Sequence, residues 1–178
     1  VGSWVGTGWS LGMGSICLVE ANYRAPAEYM MTLDGATYYT LVNDSTGIYH
    51  TIPESFYNIS RDGYTWLVYD NNGIKYEFGG TTDSRQYYVQ SAPSEIYYRY
   101  DVSSISNPNG NTINISYKQD IYLPCMYGYT LYPIVRSAYP EHIRYNDDLV
   151  DVYFNLSYDL YDPPVYGLPG NNDCGFGH

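Results

Sequence analysis

The stretch GYTWLVYDNNGIKYEFG, residues Gly63–Gly79, decides the fold class of this chain. Its two outer runs, Tyr64–Tyr69 and Ile74–Phe78, are rich in aromatic and β-branched residues, which suit a pleated, half-buried surface. Between them stands Asp70–Gly73 (DNNG), whose residues tolerate a positive φ or hydrogen-bond their own backbone. Such a turn between such runs predicts a β-hairpin.

The two runs differ in how their apolar residues alternate. In the second run, Ile74, Tyr76 and Phe78 alternate with Lys75 and Glu77, which predicts one apolar face and one charged face. In the first run, apolar and aromatic residues fall on both faces, which favours a strand that is covered on both faces.

The rest of the chain repeats this pattern, with turn signals about every 8 to 12 residues, the spacing of an all-β protein. No segment has a sustained helical periodicity. We therefore predict an all-β fold in which successive antiparallel hairpins form a curled sheet. Further strands are predicted at Glu28–Leu33, Tyr38–Val42, Ile48–Ile52, Ser55–Ser60, Gln86–Gln90, Ile96–Ile105, Thr112–Lys118, His142–Tyr145 and Leu149–Leu156.

Two segments depart from the pattern. Prolines interrupt the stretch from Gln119 to Pro140, which predicts either a long loop or an edge strand with breaks. The segment Gly6–Ile16 has glycine at every second or third position, which permits close backbone approach. Its apolar residues are predicted to fill the core: Trp9, Leu11, Met13 and Ile16. A phosphate-binding loop would need a strand before it and a helix after it, and neither flank has that pattern.

The composition excludes several classes of function. The formal net charge of −11 and the pI near 4.3 argue against nucleic acid or an anionic membrane as a partner. No apolar run is long enough for membrane insertion. The 25 tyrosines suit a sheet whose faces are partly wet. The start at Val1 lacks a signal-peptide pattern, and we expect the chain to be a fragment of a longer polypeptide.

The three cysteines, Cys17, Cys125 and Cys174, are too few and too scattered for a disulfide framework or a zinc site. Two states remain open at this point, one disulfide with a free thiol or three free thiols.

The histidines His50, His142 and His178 lie far apart, and none is part of a recognisable nucleophile motif. A triad of Cys125, His142 and Asp148 is one interpretation. The interpretation we favour is that Cys125 is a buried thiol and His142 a surface imidazole.

Carboxylates suggest two further sites, and we favour neither. Asn146, Asp147, Asp148 and Asp151 could bind calcium through oxygen atoms, but their spacing is not that of an EF-hand, and a solvated hairpin turn is favoured. Glu95 and Asp101 share a face of one predicted strand at a separation of roughly 20 Å, too far apart for the carboxylate pair of a glycosidase. We expect no catalytic residue, no cofactor and no metal site.

Four Asn-x-Ser sequons occur, at Asn43, Asn58, Asn114 and Asn155. In a secreted eukaryotic protein they would mark exposed glycosylation sites. In a bacterial chain with this content of Asn and Ser they arise by chance, which is the interpretation we favour.

Laid end to end, a series of short motifs resembles the Rhs/YD-repeat proteins, in the stretch that leads into or opens their repeat shell. The motifs lie at Gly8–Ile16 (GWSLGMGSI), Leu33–Val42 (LDG…YTLV), Glu54–Ile59 (ESFYNI), Trp66–Gly79, Ile105–Tyr117, Tyr139–Tyr145 (YPEHIRY) and Tyr161–Pro163. The chain departs from the family at Asn107, where Asp is usual, and its Tyr-Asp pairs form no regular run.

This resemblance implies a secreted or cell-surface hollow β-shell that encloses a variable C-terminal toxin or effector. Insecticidal toxin complexes and bacterial polymorphic toxins belong to the family, and the teneurins use a similar shell for adhesion. Residues 1–161 would be the shell segment and residues 162–178 an irregular tail rich in Pro and Gly. Its partners would be other parts of the shell and the enclosed domain. If the chain is one arc of such a shell, its first and last strands should pair with neighbouring repeats outside it. The alternative is a free-standing extracellular module whose tyrosine-rich sheet binds glycans or other copies of itself.

Overall fold

Antiparallel strands make up nearly all of the regular structure in this chain. The computed structural model describes residues 2–3, 6–7, 11–19, 27–91, 94–122, 125–126, 129–130, 133–146 and 149–155. Within these ranges the protein is all β, as predicted, and no helix that could cross a membrane occurs there. The predicted tail, residues 162–178, lies outside them.

Sixteen strands occur in the described residues. Their bounds are β1 Gly2–Ser3, β2 Gly6–Thr7, β3 Ser15–Val19, β4 Glu28–Thr32, β5 Tyr39–Asn43, β6 Ile48–Ile52, β7 Asn58–Asp62, β8 Thr65–Tyr69, β9 Lys75–Phe78, β10 Arg85–Ser91, β11 Ser94–Ser106, β12 Thr112–Tyr122, β13 Cys125–Met126, β14 Tyr129–Thr130, β15 Ile134–Tyr145 and β16 Val150–Tyr153.

Eight of these strands form a ring, which we call the closed sheet. Strands β3 to β9 pair with one another in chain order, and β11 then pairs with both β9 and β3. The first half of β11 pairs with β3, with Tyr100 opposite Ile16. Its second half pairs with β9, with Val102 opposite Phe78. The predicted curled sheet is therefore confirmed, and the curl is complete enough to close.

An open extension branches from the closed sheet at β11. Strand β12 pairs with β11, β15 with β12, and β16 with β15, while β10 pairs with the first half of β11. Of the two alternatives for the stretch from Gln119 to Pro140, the long loop is wrong for much of it, whereas strands with breaks are found. Strand β12 continues to Tyr122, and β15 runs through Pro140. Pro140 is tolerated because the register shifts beside its partner Tyr117, and prolines inside sheets occur at such irregularities.

Side chains fill the interior of the closed sheet, as expected for eight strands, which leave room for little else. The fully buried members come from alternate positions on successive strands, and each such side chain stabilises the fold by about 1.5–3 kcal/mol. They are Ile16, Met31, Ile59, Trp66, Val68, Phe78, Tyr100 and Val102.

The central hairpin is confirmed. Strands β8 and β9 pair with Trp66 opposite Phe78. Asp70 makes the turn, because its carboxylate accepts hydrogen bonds from the amides of Asn72 and Ile74 at 2.8 and 2.9 Å. Gly73 has a φ of 76°, which glycine adopts without strain.

The glycine-rich opening behaves as predicted at three positions and differently at a fourth. A Cβ on Gly12 would lie 2.2 Å from the carbonyl oxygen of Asp34, so only glycine fits. Ile16 is buried and Met13 packs against the core. Leu11, however, is 38% exposed, so its predicted core position is wrong. Trp9 lies outside the described residues.

Strand β7 begins later than predicted. We predicted a strand at Ser55–Ser60, but β7 spans Asn58–Asp62, because side chains hold the preceding residues in a loop. The Thr51 hydroxyl accepts the amide of Ser55 at 2.8 Å, and the Glu54 carboxylate accepts the amide of Phe56 at 2.7 Å. Phe56 adopts a φ of 59° there and is 81% exposed.

Candidate functional site

His142, the histidine of the triad that the sequence analysis did not favour, has other partners in the fold. Its Nε2 lies 2.7 Å from Oδ1 of Asp151, and its ring stacks on Tyr153 with the centroids 4.0 Å apart. The side chain of Cys125 and the whole of Asp148 lie outside the described residues, as does His178. His142 therefore acts here as a link between β15 and β16.

Two of the residues weighed as calcium ligands, Asn146 and Asp151, make structural hydrogen bonds. The side-chain oxygen of Asn146 accepts the amide of Thr112 at 2.8 Å, and its nitrogen donates to Asn111 at 2.8 Å. Asp151 pairs with His142. Asp147 lies outside the described residues, among which no group of three or more His, Cys, Asp or Glu could hold a metal ion.

Glu95 and Asp101 occupy different environments on β11. Asp101 is buried, and its carboxylate accepts hydrogen bonds from Arg99 at 2.8 Å and Gln86 at 3.0 Å. Glu95 is exposed and accepts a hydrogen bond from Tyr97. Each carboxylate therefore serves its own strand contacts.

Cys17 is buried on β3 and disulfide-bonded. Of the two states that the sequence left open, the one with a disulfide therefore holds. The sequons lie at exposed positions, which suits both interpretations of them: Asn43, Asn58, Asn114 and Asn155. His50 lies on β6 between Asp44 and Glu54, at 3.6 and 3.8 Å, and its side chain is about half exposed.

An aromatic cluster occupies one end of the closed sheet. The ring of Trp66 lies 4.8 Å from the rings of both Tyr29 and Tyr49, and 6.2 Å from that of Tyr100. From Tyr100 the contacts continue to Tyr97 at 6.4 Å. Pairs at such distances stabilise a fold by about 0.5–1.5 kcal/mol each beyond their buried area.

Arg61 is the cation at the centre of this aromatic cluster. Its guanidinium donates to the hydroxyls of Tyr29 and Tyr100, both at 2.8 Å, and to the carbonyl of Gly63 at 2.9 Å. Its Cζ lies 4.9 Å from the Trp66 ring centroid. Burial raises the pKa of Tyr100, although Arg61 acts in the opposite direction. Two tyrosine hydroxyls and a backbone carbonyl therefore hold this cation within the packed aromatic cluster.

Sequence reasoning missed Arg61 because the run Arg61-Asp62-Gly63 predicts a turn, whereas β7 continues through Arg61 to Asp62. The signal that could have found it is the period of two, since Arg61 follows Ile59 by two residues and so faces the same side of β7 as a buried residue.

A polar groove of about 370 Å³ lies on the outer face of the sheet, where β9, β11, β12 and β15 run side by side. Most of its lining residues are polar, and Ile115 is the apolar member: Glu77, Thr81, Ser103, Ser104, Asn114, Ile115, Ser116, His142 and Arg144. Pairing of strands distant in sequence brings these residues together, so no local motif could have predicted the groove.

Comparison of the chain with family models, with curated proteins and with solved structures gives no match. The relation to the Rhs/YD-repeat proteins therefore stays a resemblance of motifs.

Proposed function

We propose that this chain is a structural segment of a secreted Rhs/YD-repeat β-shell that encloses a C-terminal toxin or effector, without catalysis of its own. The observation that carries the proposal is that residues of separate family motifs meet in the fold as turn and packing residues. Gly12 packs on the Asp34–Gly35 turn, and Gly14 lies against Phe78. A motif series that serves packing throughout suits a scaffold.

The edge of the open extension also supports this role. Within the described residues, β16 pairs only with β15. Its apolar side chains are open to solvent, with Val150, Val152 and Tyr153 being 54%, 43% and 66% exposed. An unpaired apolar edge is a template for a further strand. In a shell, the next hairpin of the polypeptide would pair here.

Secretion or display at the cell surface fits the disulfide of Cys17, because disulfides persist in oxidising compartments. The proposed partners are the neighbouring parts of the same shell and the enclosed domain, and we propose neither a nucleic acid nor a membrane as a partner.

One observation favours the alternative, a free-standing extracellular module that binds glycans or other copies of itself. Strand β3, the first strand of the closed sheet, has partners within the chain on both edges, β4 and β11. The closed sheet therefore has its own core and needs no neighbouring repeat to complete that side.

Light-scattering chromatography separates the two proposals. Residues 1–178 alone should self-associate at tens of micromolar through the β16 edge. Under the shell proposal, a polypeptide that adds the neighbouring repeats should instead be soluble and appear as a hollow particle by electron microscopy. A sharp monomer peak with cooperative melting would contradict the shell and favour the free-standing module. A Val152→Lys variant places a charge on the exposed edge and should restore the monomer if β16 is the surface that associates.

A further inference from the structure

The polar groove is built from strands in register. Glu77 on β9 lies opposite Ser104 on β11, Ser104 opposite Asn114 on β12, and Asn114 opposite Arg144 on β15. Directly opposed residues share a face of the sheet. These four side chains therefore form a row across four strands, with a carboxylate at one end and a guanidinium at the other.

A second row runs beside the first one. Ser116 on β12 lies opposite His142 on β15, which lies opposite Tyr153 on β16. His142 is fixed from two sides, by Asp151 at 2.7 Å and by the stacked ring of Tyr153. The groove therefore has an oriented imidazole beside its hydroxyl and amide groups.

On each strand, the residue next to a row member faces the opposite side of the sheet. Tyr76, Ile105 and Ile113 pack against the core. The polar side chains thus sit on a sheet whose other face is held by apolar packing, so their spacing is set by the strands. The three strands β11, β12 and β15, at about 4.8 Å separation, span about 10 Å, the length of about two linked sugar rings.

The chemistry of the lining selects the class of ligand. Hydroxyl and amide groups occupy the centre, and such groups both donate and accept hydrogen bonds. Glu77 and Arg144 offset each other's charge in the groove, and the net charge of −11 disfavours a phosphate or another strong anion. An apolar ligand would leave these polar groups without partners, at a cost for each of them. A neutral polyhydroxylated molecule matches both the groups and the span.

We propose that the polar groove binds a neutral saccharide about two sugar rings long, through Ser104, Asn114, Ser116 and His142. This binding site is independent of the proposed shell role, because it needs only the sheet from β9 to β15. A shell segment and a free-standing module would both carry it.

The test is an NMR titration of ¹⁵N-labelled residues 1–178 with the Val152→Lys change, which should keep the chain monomeric and lies outside the groove lining. The protein is produced in a bacterial periplasm so that the disulfide forms and no glycan is attached at Asn114. The probes are cellobiose, maltose, lactose and N,N′-diacetylchitobiose, each added to tens of millimolar. We expect saturable shifts with at least one of them, largest at the amides of β12 and β15 around Asn114 and His142.

Asn114→Ala should weaken that binding about fivefold, the effect of one lost hydrogen bond. The matched control is Asn58→Ala, an exposed strand asparagine on β7 outside the groove, which should bind like the parent chain. Proton NMR spectra of both variants report whether they fold.

No saturable shift with any of the four sugars would overturn the proposal, as would shifts confined to the aromatic cluster around Arg61. Equal weakening by Asn58→Ala and Asn114→Ala would also overturn it. A tetra-alanine peptide is titrated in the same way as the four sugars. If this peptide alone gives saturable shifts in the groove, the site is a peptide site and the saccharide proposal is wrong.

Discussion

Replacing Arg61 by Met tests whether a single cation organises the aromatic end of the closed sheet. Methionine keeps much of the apolar stem but removes the guanidinium. The change deletes hydrogen bonds to Tyr29, Tyr100 and Gly63, each with a net value of about 0.5–1.5 kcal/mol. It also removes a cation from above the Trp66 ring, at about 0.5–1 kcal/mol.

The expected loss in the free energy of unfolding is about 2–5 kcal/mol, the sum of these contributions. Arg61→Lys keeps the charge but not the planar fork, and should cost about 1–2 kcal/mol. Urea unfolding followed by both circular dichroism and tryptophan fluorescence measures these losses.

The matched control is Lys75→Met, which removes a cation from a surface ion pair with Glu77 at 3.3 Å. Such pairs contribute about 0–1 kcal/mol. An Arg61→Met variant within about 0.5 kcal/mol of the parent chain, or no less stable than Lys75→Met, would refute the reasoning.

Gly73→Val should lower the free energy of unfolding by about 1–3 kcal/mol and cost more than Gly47→Val, because a Cβ at Gly73 meets Pro108 at 3.1 Å whereas one at Gly47 meets nothing within 4 Å. Equal losses in urea titrations would show that the contact with Pro108 is irrelevant. Hydrogen bonds from the backbone amides of Thr37 and Ala36 lower the pKa of Asp34 to about 2. The Asp34 carboxylate should therefore stabilise the fold fully above pH 3.8, its ordinary pKa, and progressively less as the pH falls through about 2. The melting temperature of Asp34→Asn should lack this acid dependence, and an NMR titration giving Asp34 an ordinary pKa would contradict the prediction. Phe56→Gly should be more stable than Phe56→Ala by about 1 kcal/mol, because the φ of 59° disfavours a side chain; a more stable alanine variant in thermal melts would count against that strain.

The hairpins could be predicted from the sequence because their signals are local. Asp70 and Gly73 lie within four residues of each other, and their side-chain chemistry is enough to specify the turn. The pairing of Cys17 with Arg99 could not be predicted in the same way. Alternation shows that a strand has a buried face, but it does not say which distant strand completes the sheet.

The candidate site was harder to predict than the fold. The expectation of no catalytic, cofactor or metal residues stays a prediction. Arg61 and the polar groove were missed for different reasons. Arg61 was missed because the Asp62-Gly63 pair predicted that the turn begins at Arg61, whereas β7 continues to Asp62. The groove was missed because it depends on strands that pair across the sheet, such as Glu77 with Ser104. The prediction that Trp9 fills the core stays a prediction, because Trp9 lies outside the described residues.

The sharing of β11 between β3 and β9 has a consequence for synthesis of the chain. Cys17 pairs with Arg99, 99 − 17 = 82 positions further along, so the closed sheet cannot form until β11 has left the ribosome. At about 5–20 residues per second, the hairpins from β3 to β9 wait several seconds with Ile16, Met31 and Phe78 uncovered. Bringing β3 and β11 together also costs conformational entropy before the contacts between them form. During translation this protein should therefore depend on chaperones until β11 emerges, and a ribosome stalled before residue 94 should hold a chain that proteases digest readily.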